Sequence, residues 1–230
     1  MKVVLLPGLD GTGRLFSPLV QALSPGHPAQ VVAYPADEPM GYDDLQQWVR
    51  QVLPAEEPFA LLAESFSGPI AMAIAASPPA GLRGLVLCAT FARNPIPALA
   101  GFRWMIPFLP VRAAPSRLLA WILLGRMSSA AWRSAISSTL ASVSARAIRC
   151  RLAAVLSVDA TAALASARVP ALYLRASHDR VVPLSATKLI SETLPSTQVV
   201  SIDGPHFLLQ ANPTAAGRAI GEFLASIERS

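Results

Sequence analysis

The amino-acid sequence predicts an α/β fold: a mostly parallel six-stranded sheet flanked by helices, with an all-helical insertion after the fourth strand. Three observations in the 230 residues carry this. Short apolar runs alternate with longer amphipathic stretches up to residue 90 and again after Pro170, the rhythm of strands and helices in a parallel sheet. Between those parts no strand pattern recurs, and prolines and alanine/leucine/arginine stretches replace it. The charge changes at the same borders. Residues 91–165 hold nine arginines and one acid, Asp159, whereas the rest of the chain holds ten basic and thirteen acidic residues. The expected division is a core of 1–90 and 166–230 with a helical cap of 91–165.

In chain order, residues 2–7 read as a strand and 16–23 as a helix. A second strand is expected at 30–34, then a helix at 42–53 whose positive N-terminal dipole end Asp43 and Asp44 favour. Residues 59–63 form a third expected strand. The helix after it begins near Phe66, with Pro69 in its first turn, where a missing N–H costs nothing. A fourth strand is expected at 85–89. In the insertion Pro95, Pro97, Pro107, Pro110 and Pro115 mark turns, and helices are expected at 116–124, 130–141 and 145–155. The alternation resumes with a strand at 171–176, a helix at 184–194, a strand at 198–202 and a closing helix at 213–227.

Composition narrows the function classes. With 53% apolar and 14% charged residues the chain is a folded domain, not a disordered one. A domain of this length buries roughly 70% of its unfolded surface and needs neither disulfides nor metal to fold. Cys88 lies in an apolar run and forms no motif with Cys150. The five apolar residues after Lys2 are too few for a signal peptide, which makes the cytoplasm the expected location. Residues 101–127 come nearest to a membrane span. Arg103, Arg112, Arg117 and three prolines interrupt them, and one centred arginine costs roughly 2.5–3.5 kcal/mol. No cofactor, metal, nucleic-acid partner or transmembrane segment is expected.

Three segments carry chemistry. The run 61–68, Leu-Leu-Ala-Glu-Ser-Phe-Ser-Gly, has the small-x-Ser-x-small form of a nucleophile elbow centred on Ser65. A serine on a tight strand-to-helix turn needs small neighbours two residues away, here Ala63 and Ser67. The starting helix turns backbone N–H groups toward developing negative charge. Ser67 is the rival nucleophile, although Pro69 is a poor substitute for a small residue. The loop Pro7-Gly8-Leu9-Asp10-Gly11-Thr12-Gly13 follows the first strand with G-x-x-G-x-G spacing. That matches neither a dinucleotide fingerprint nor a Walker loop. It reads as an oxyanion loop in which the N–H groups of Leu9 and Phe66 meet around one oxygen, with Gly8 and Asp10 beside the substrate. The third signal is a pair, Asp179 in Ser177–Pro183 and His206 in Asp203–Phe207, each just past the end of a late strand. Parallel sheets place their sites at that edge. His206 is the candidate base and Asp179 its orienting acid, with Asp203 the alternative acid. His27 and His178 read as surface and loop histidines.

The order Ser65, Asp179, His206, the Pro-Gly-Leu-Asp-Gly loop and the helical insert together resemble the α/β-hydrolase superfamily over essentially the whole chain. The resemblance implies an α/β-hydrolase fold, a Ser65–His206–Asp179 triad, and a cap over an acyl pocket. Three departures stand out: Pro7-Gly8 in place of His-Gly, Ala63 and Ser67 in place of elbow glycines, and the absence of two leading strands found in many members. The chemistry implied is two-step acyl transfer on an ester or thioester of a lipophilic acyl group.

For the pocket, residues 102–109 and 121–124 supply apolar side chains, among them Trp104, Phe108 and Trp121, although such a stripe also fits plain core. The arginines of the cap suit an anionic substrate such as a coenzyme A thioester, an acidic carrier protein or an anionic lipid surface, and equally a solvated face. An acyltransferase using the same triad and a non-catalytic binding protein stay open as alternatives.

Overall fold

A computed structural model describes residues 1–113 and 115–229. The chain opens with strand β1 (Lys2–Leu6), helix α1 (Ser17–Leu23), strand β2 (Ala29–Val31) and helix α2 (Tyr42–Val52). Strand β3 (Phe59–Glu64), helix α3 (Gly68–Ala76) and strand β4 (Leu82–Cys88) complete the first half. The insertion holds a 3-10 helix (Pro97–Phe108) and helices α4 (Ser116–Leu124), α5 (Ala130–Ala141) and α6 (Ala145–Val155). Helix α7 (Thr161–Ala165) leads back to strand β5 (Ala171–Ala176), helix α8 (Leu184–Thr193) and strand β6 (Gln198–Ile202). The short α9 (Leu208–Ala211) and the long α10 (Pro213–Glu228) end the fold.

The strands form one sheet in the order β2-β1-β3-β4-β5-β6, and every neighbouring pair is parallel. Helices cover both faces, which is why β3 is buried along its whole length and reads as a continuous apolar run. Alternate residues sort to opposite sides. Val4, Leu61 and Leu85 pack with Leu45 of α2 and Ile70 of α3. Val3, Leu62 and Val86 face Leu19 of α1 and Ile220 of α10. Each such side chain contributes about 1.5–3 kcal/mol relative to exposure.

Besides the short helices α7 and α9, which the sequence pattern does not announce, three elements differ from expectation. Strand β2 stops at Val31, short of the expected Tyr34, because Tyr34 leaves the ladder and its N–H donates to the Gly11 carbonyl at 2.6 Å. Strand β4 starts three residues earlier than expected, at Leu82. The proline-rich segment, expected as turns, contains the twelve-residue 3-10 helix. Ile96, Leu99, Phe102, Met105 and Phe108 recur every third residue, which matches the three-residue turn of that helix.

The insertion leaves and rejoins the core through a narrow neck: the Ala160 N–H donates to Ala92 O (2.7 Å) and the Asn94 N–H to Val158 O (3.0 Å). Helix α7, grouped with the cap on sequence, instead buries Leu164 in the same layer as α3. Among the described residues no helix is long and apolar enough to cross a membrane.

Candidate active site

Strand β3 ends at Glu64, and Ser65 turns the chain with a φ of +50°, the left-handed region that a non-glycine residue occupies only at a cost. Neighbours hold it there. The Thr90 hydroxyl donates to the Ser65 carbonyl. A Cβ on Gly68 would lie 2.0 Å from the Thr90 oxygen, so only glycine admits that approach. Ser67, the rival nucleophile, is buried; its hydroxyl donates to the Pro7 carbonyl and accepts from Tyr34 at 2.5 Å. The two bonds lock the elbow to the segments that follow β1 and β2.

His206 follows β6 and Asp179 follows β5. The Ser65 Oγ lies 2.9 Å from His206 Nε2, and His206 Nδ1 lies 2.9 and 3.0 Å from the two Asp179 oxygens. Asp179 Oδ1 also accepts the N–H groups of Val181 and Val182, both at 2.8 Å, which fixes the carboxylate as an acceptor. With Nδ1–H donated to it, Nε2 carries the lone pair that faces the serine hydroxyl. Both side chains are buried. The alternative acid, Asp203, is exposed and pairs with His178 (3.0 Å) and the Ser177 hydroxyl, away from His206.

Leu9, Ser65 and Phe66 line one apolar cavity of about 380 Å³, walled by Phe102, Met105, Ile106 and Leu109 of the insertion and by Leu152, Val155 and Leu156 around α6. Trp104, Phe108 and Trp121, expected in this wall, are absent from it. Trp104 is exposed in an outer groove with Arg103, Arg146 and Arg149, and Phe108 points to solvent. Trp121 lies under the Arg180 guanidinium, 4.3 Å from its ring centre, while its carbonyl accepts from the same side chain. Gly8 and Asp10 also do not line the cavity. Asp10 turns its carboxylate back to Thr12, accepting from the N–H (2.8 Å) and the hydroxyl (2.5 Å).

Two residues at the site carry no local sequence motif. Arg151 of α6 is fully buried and donates to the carbonyls of Leu9 (3.2 Å), Asp10 (2.7 Å) and Pro35 (2.9 Å). Gly11, at a φ of +72°, makes room for it, since a Cβ there would lie 2.4 Å from the guanidinium. The Gly11 N–H donates to Gly8 O at 3.0 Å, so three successive peptide planes of the loop, 8 to 11, are pinned. The available signal was spacing: Arg151 stands four and three residues after Ala147 and Ile148, on the buried face of α6. Glu64 is the second. It is buried beneath the loop, accepts from Gln210 Nε2 at 3.3 Å, and burial pushes its carboxyl up to about 8. Among the described residues no group of His, Cys, Asp and Glu side chains is placed to hold a metal ion.

A model of the family described as serine aminopeptidase, S33, matches residues 4–207. The chain belongs to that family, and its fold is that of the α/β-hydrolases. No curated protein matches the S33 chain in sequence. Solved structures share its fold. The enol-lactonase from Burkholderia xenovorans LB400 superposes with a TM-score of 0.85 at 17% identity, over 97% of this chain and 91% of its own. The bromoperoxidase from Bacillus anthracis has a TM-score of 0.82 at 20% identity, over 97% and 91%. A thermophilic esterase from Thermogutta terrifontis has a TM-score of 0.78 at 21% identity, over 99% and 90%.

Proposed function

We propose that this S33-family chain is a serine hydrolase that cleaves carboxylic ester or thioester bonds of lipophilic acyl substrates through an acyl-enzyme. The supporting observation is an unbroken hydrogen-bond chain, Asp179 to His206 to Ser65, ending at an apolar cavity. Ser65 Oγ attacks the acyl carbon as His206 Nε2 takes its proton, and Asp179 stabilises the imidazolium that forms. The Leu9 and Phe66 N–H groups receive the oxyanion, each contributing about 2.7–4 kcal/mol of transition-state stabilisation. Collapse of the intermediate expels the alcohol or thiol, which takes the proton from His206. Water then repeats the sequence and releases the acid.

The family's description suggests peptides, but the cavity argues for acyl esters. Among its described lining residues Ser65 is the one polar side chain, and no carboxylate stands there to receive a peptide's terminal ammonium. The test is a series of p-nitrophenyl esters and acyl thioesters of increasing chain length, beside aminoacyl anilides. Hydrolysis of the acyl series that disappears in Ser65→Ala is the expected result. Cleavage of the anilides alone, or no Ser65-dependent cleavage at all, overturns the proposal.

A further inference from the structure

The 3-10 helix Pro97–Phe108 forms the outer wall of the acyl cavity, yet its apolar side chains are turned partly to solvent. Ile96, Leu99, Phe102 and Met105 line the cavity and are also exposed. Phe108 continues the same three-residue stripe at 78% exposure, and Trp104 beside it is 69% exposed. Among the described residues, ten of the fourteen large apolar side chains left exposed fall between Ile96 and Met127. This is a concentration in one segment, not the scatter expected of an ordinary surface.

Within the insertion the charge has one sign, whereas the exposed acids Asp37 and Glu38 of the core stand next to Pro39 at one rim of the outer groove. From Phe91 to Val158 the chain carries nine arginines and no acid or lysine. Among the described residues none of these arginines forms an ion pair with a carboxylate. Arg103 and Arg146 are exposed and flank Trp104 in the outer groove, with Arg149 beside them. Exposed aromatic rings interleaved with arginines suit an interface where apolar chains lie beneath negative head groups. An acidic protein would satisfy the arginines but would cover the cavity mouth with the same contact.

We propose that this face of the insertion is a docking surface for anionic lipid, and that it sets the mouth of the acyl cavity against the lipid from which substrate enters. The proposal rests on the hydrolase reading only for what the surface delivers; the docking itself does not require catalysis. Phe108 and Trp104 would enter the acyl boundary while the arginines meet the head groups. Each arginine near such a surface strengthens binding roughly fivefold, and that part of the attraction is screened by salt.

Co-sedimentation with phosphatidylglycerol/phosphatidylcholine vesicles, beside pure phosphatidylcholine, tests this with the full chain. Binding to the anionic vesicles is expected, about tenfold or more tighter than to the neutral ones and weakened by 0.5 M salt. The double variant Trp104→Ser/Phe108→Ser should lose it while hydrolysing a water-soluble short-chain ester at the wild-type rate, since neither side chain lines the cavity. Arg103→Gln/Arg146→Gln should weaken binding about 20-fold. No binding to anionic vesicles, equal binding of the aromatic variant, or a wild-type dimer that the same substitutions dissociate would overturn the docking surface. Vesicle binding without ester hydrolysis upholds it and strikes the hydrolase reading instead.

Discussion

Replacing Arg151 by methionine deletes the three hydrogen bonds that hold the loop after β1, while keeping a long side chain in the space. The bonds run to the Leu9, Asp10 and Pro35 carbonyls at 3.2, 2.7 and 2.9 Å. A bond from a charged donor contributes about 1.5–3 kcal/mol, and burial of a guanidinium with no carboxylate bonded to it offsets much of the total. A buried carbonyl left without its donor costs about 1–3 kcal/mol of stability. Asp10, which burial already pushes up, also loses the nearby positive charge that lowers it. The 9–10 and 10–11 planes are released, and the second of these carries the Gly11 N–H that holds the Gly8 carbonyl, so the 8–9 plane bearing the Leu9 N–H loses its aim in turn. Loss of one oxyanion donor lowers kcat by about 10²–10³-fold. Steady-state kinetics on a soluble ester should therefore give a kcat about 10²-fold lower with KM little changed. Arg151→Lys should be intermediate, since it keeps the charge and loses the fork. Dilute guanidinium should restore part of kcat to Arg151→Ala. Full kcat in a folded Arg151→Met protein, or loss of activity that follows the unfolded fraction alone with no rescue, would refute the reasoning.

Three further outcomes follow from the same geometry. Asp179→Asn faces His206 with an amide and favours the wrong tautomer, so kcat should fall about 10³–10⁴-fold, whereas Asp203→Asn should leave it near wild type; ester kinetics on both variants decide. The folded protein keeps the Glu64 proton up to about pH 8, whereas the unfolded chain gives it up near 4.5. Stability should therefore fall as pH rises from 4.5 to 8. Glu64→Gln should flatten that slope in urea titrations and be the more stable protein at pH 9, by a few kcal/mol, on the order of the shift itself. Leu156→Trp fills part of the 380 Å³ cavity and should move the best p-nitrophenyl ester to a shorter chain, with KM for long chains rising most.

Strands and site order were legible in the sequence because both are local or topological signals. Val3 to Leu6, the run 59–63 and the alternation after Pro170 show their burial directly. Ser65, Asp179 and His206 each follow a strand that a parallel sheet must end at one edge. What the sequence hid depends on distant partners. Arg151 reads as one more arginine of a basic insertion until α6 is seen to turn it onto carbonyls more than a hundred residues away. Trp104, Phe108 and Trp121 have the right chemistry for an acyl pocket. Phe102, Met105 and Ile106 line the cavity instead, Phe108 at the end of the 3-10 helix turns to solvent, and Arg180 occupies Trp121. Pro97–Phe108 reads as turns because prolines are turn signals, whereas its apolar residues recur every third position, the period of a 3-10 helix.

The most direct test of the central claim, that His206 and Asp179 make Ser65 nucleophilic, is labelling by a fluorophosphonate followed by fragment-ion sequencing of the labelled peptide. One adduct, on the Ser65 side chain itself, is predicted, slowed severely by His206→Ala and absent in Ser65→Ala. An adduct on Ser67 or elsewhere, or equal labelling of the His206→Ala protein, would contradict it.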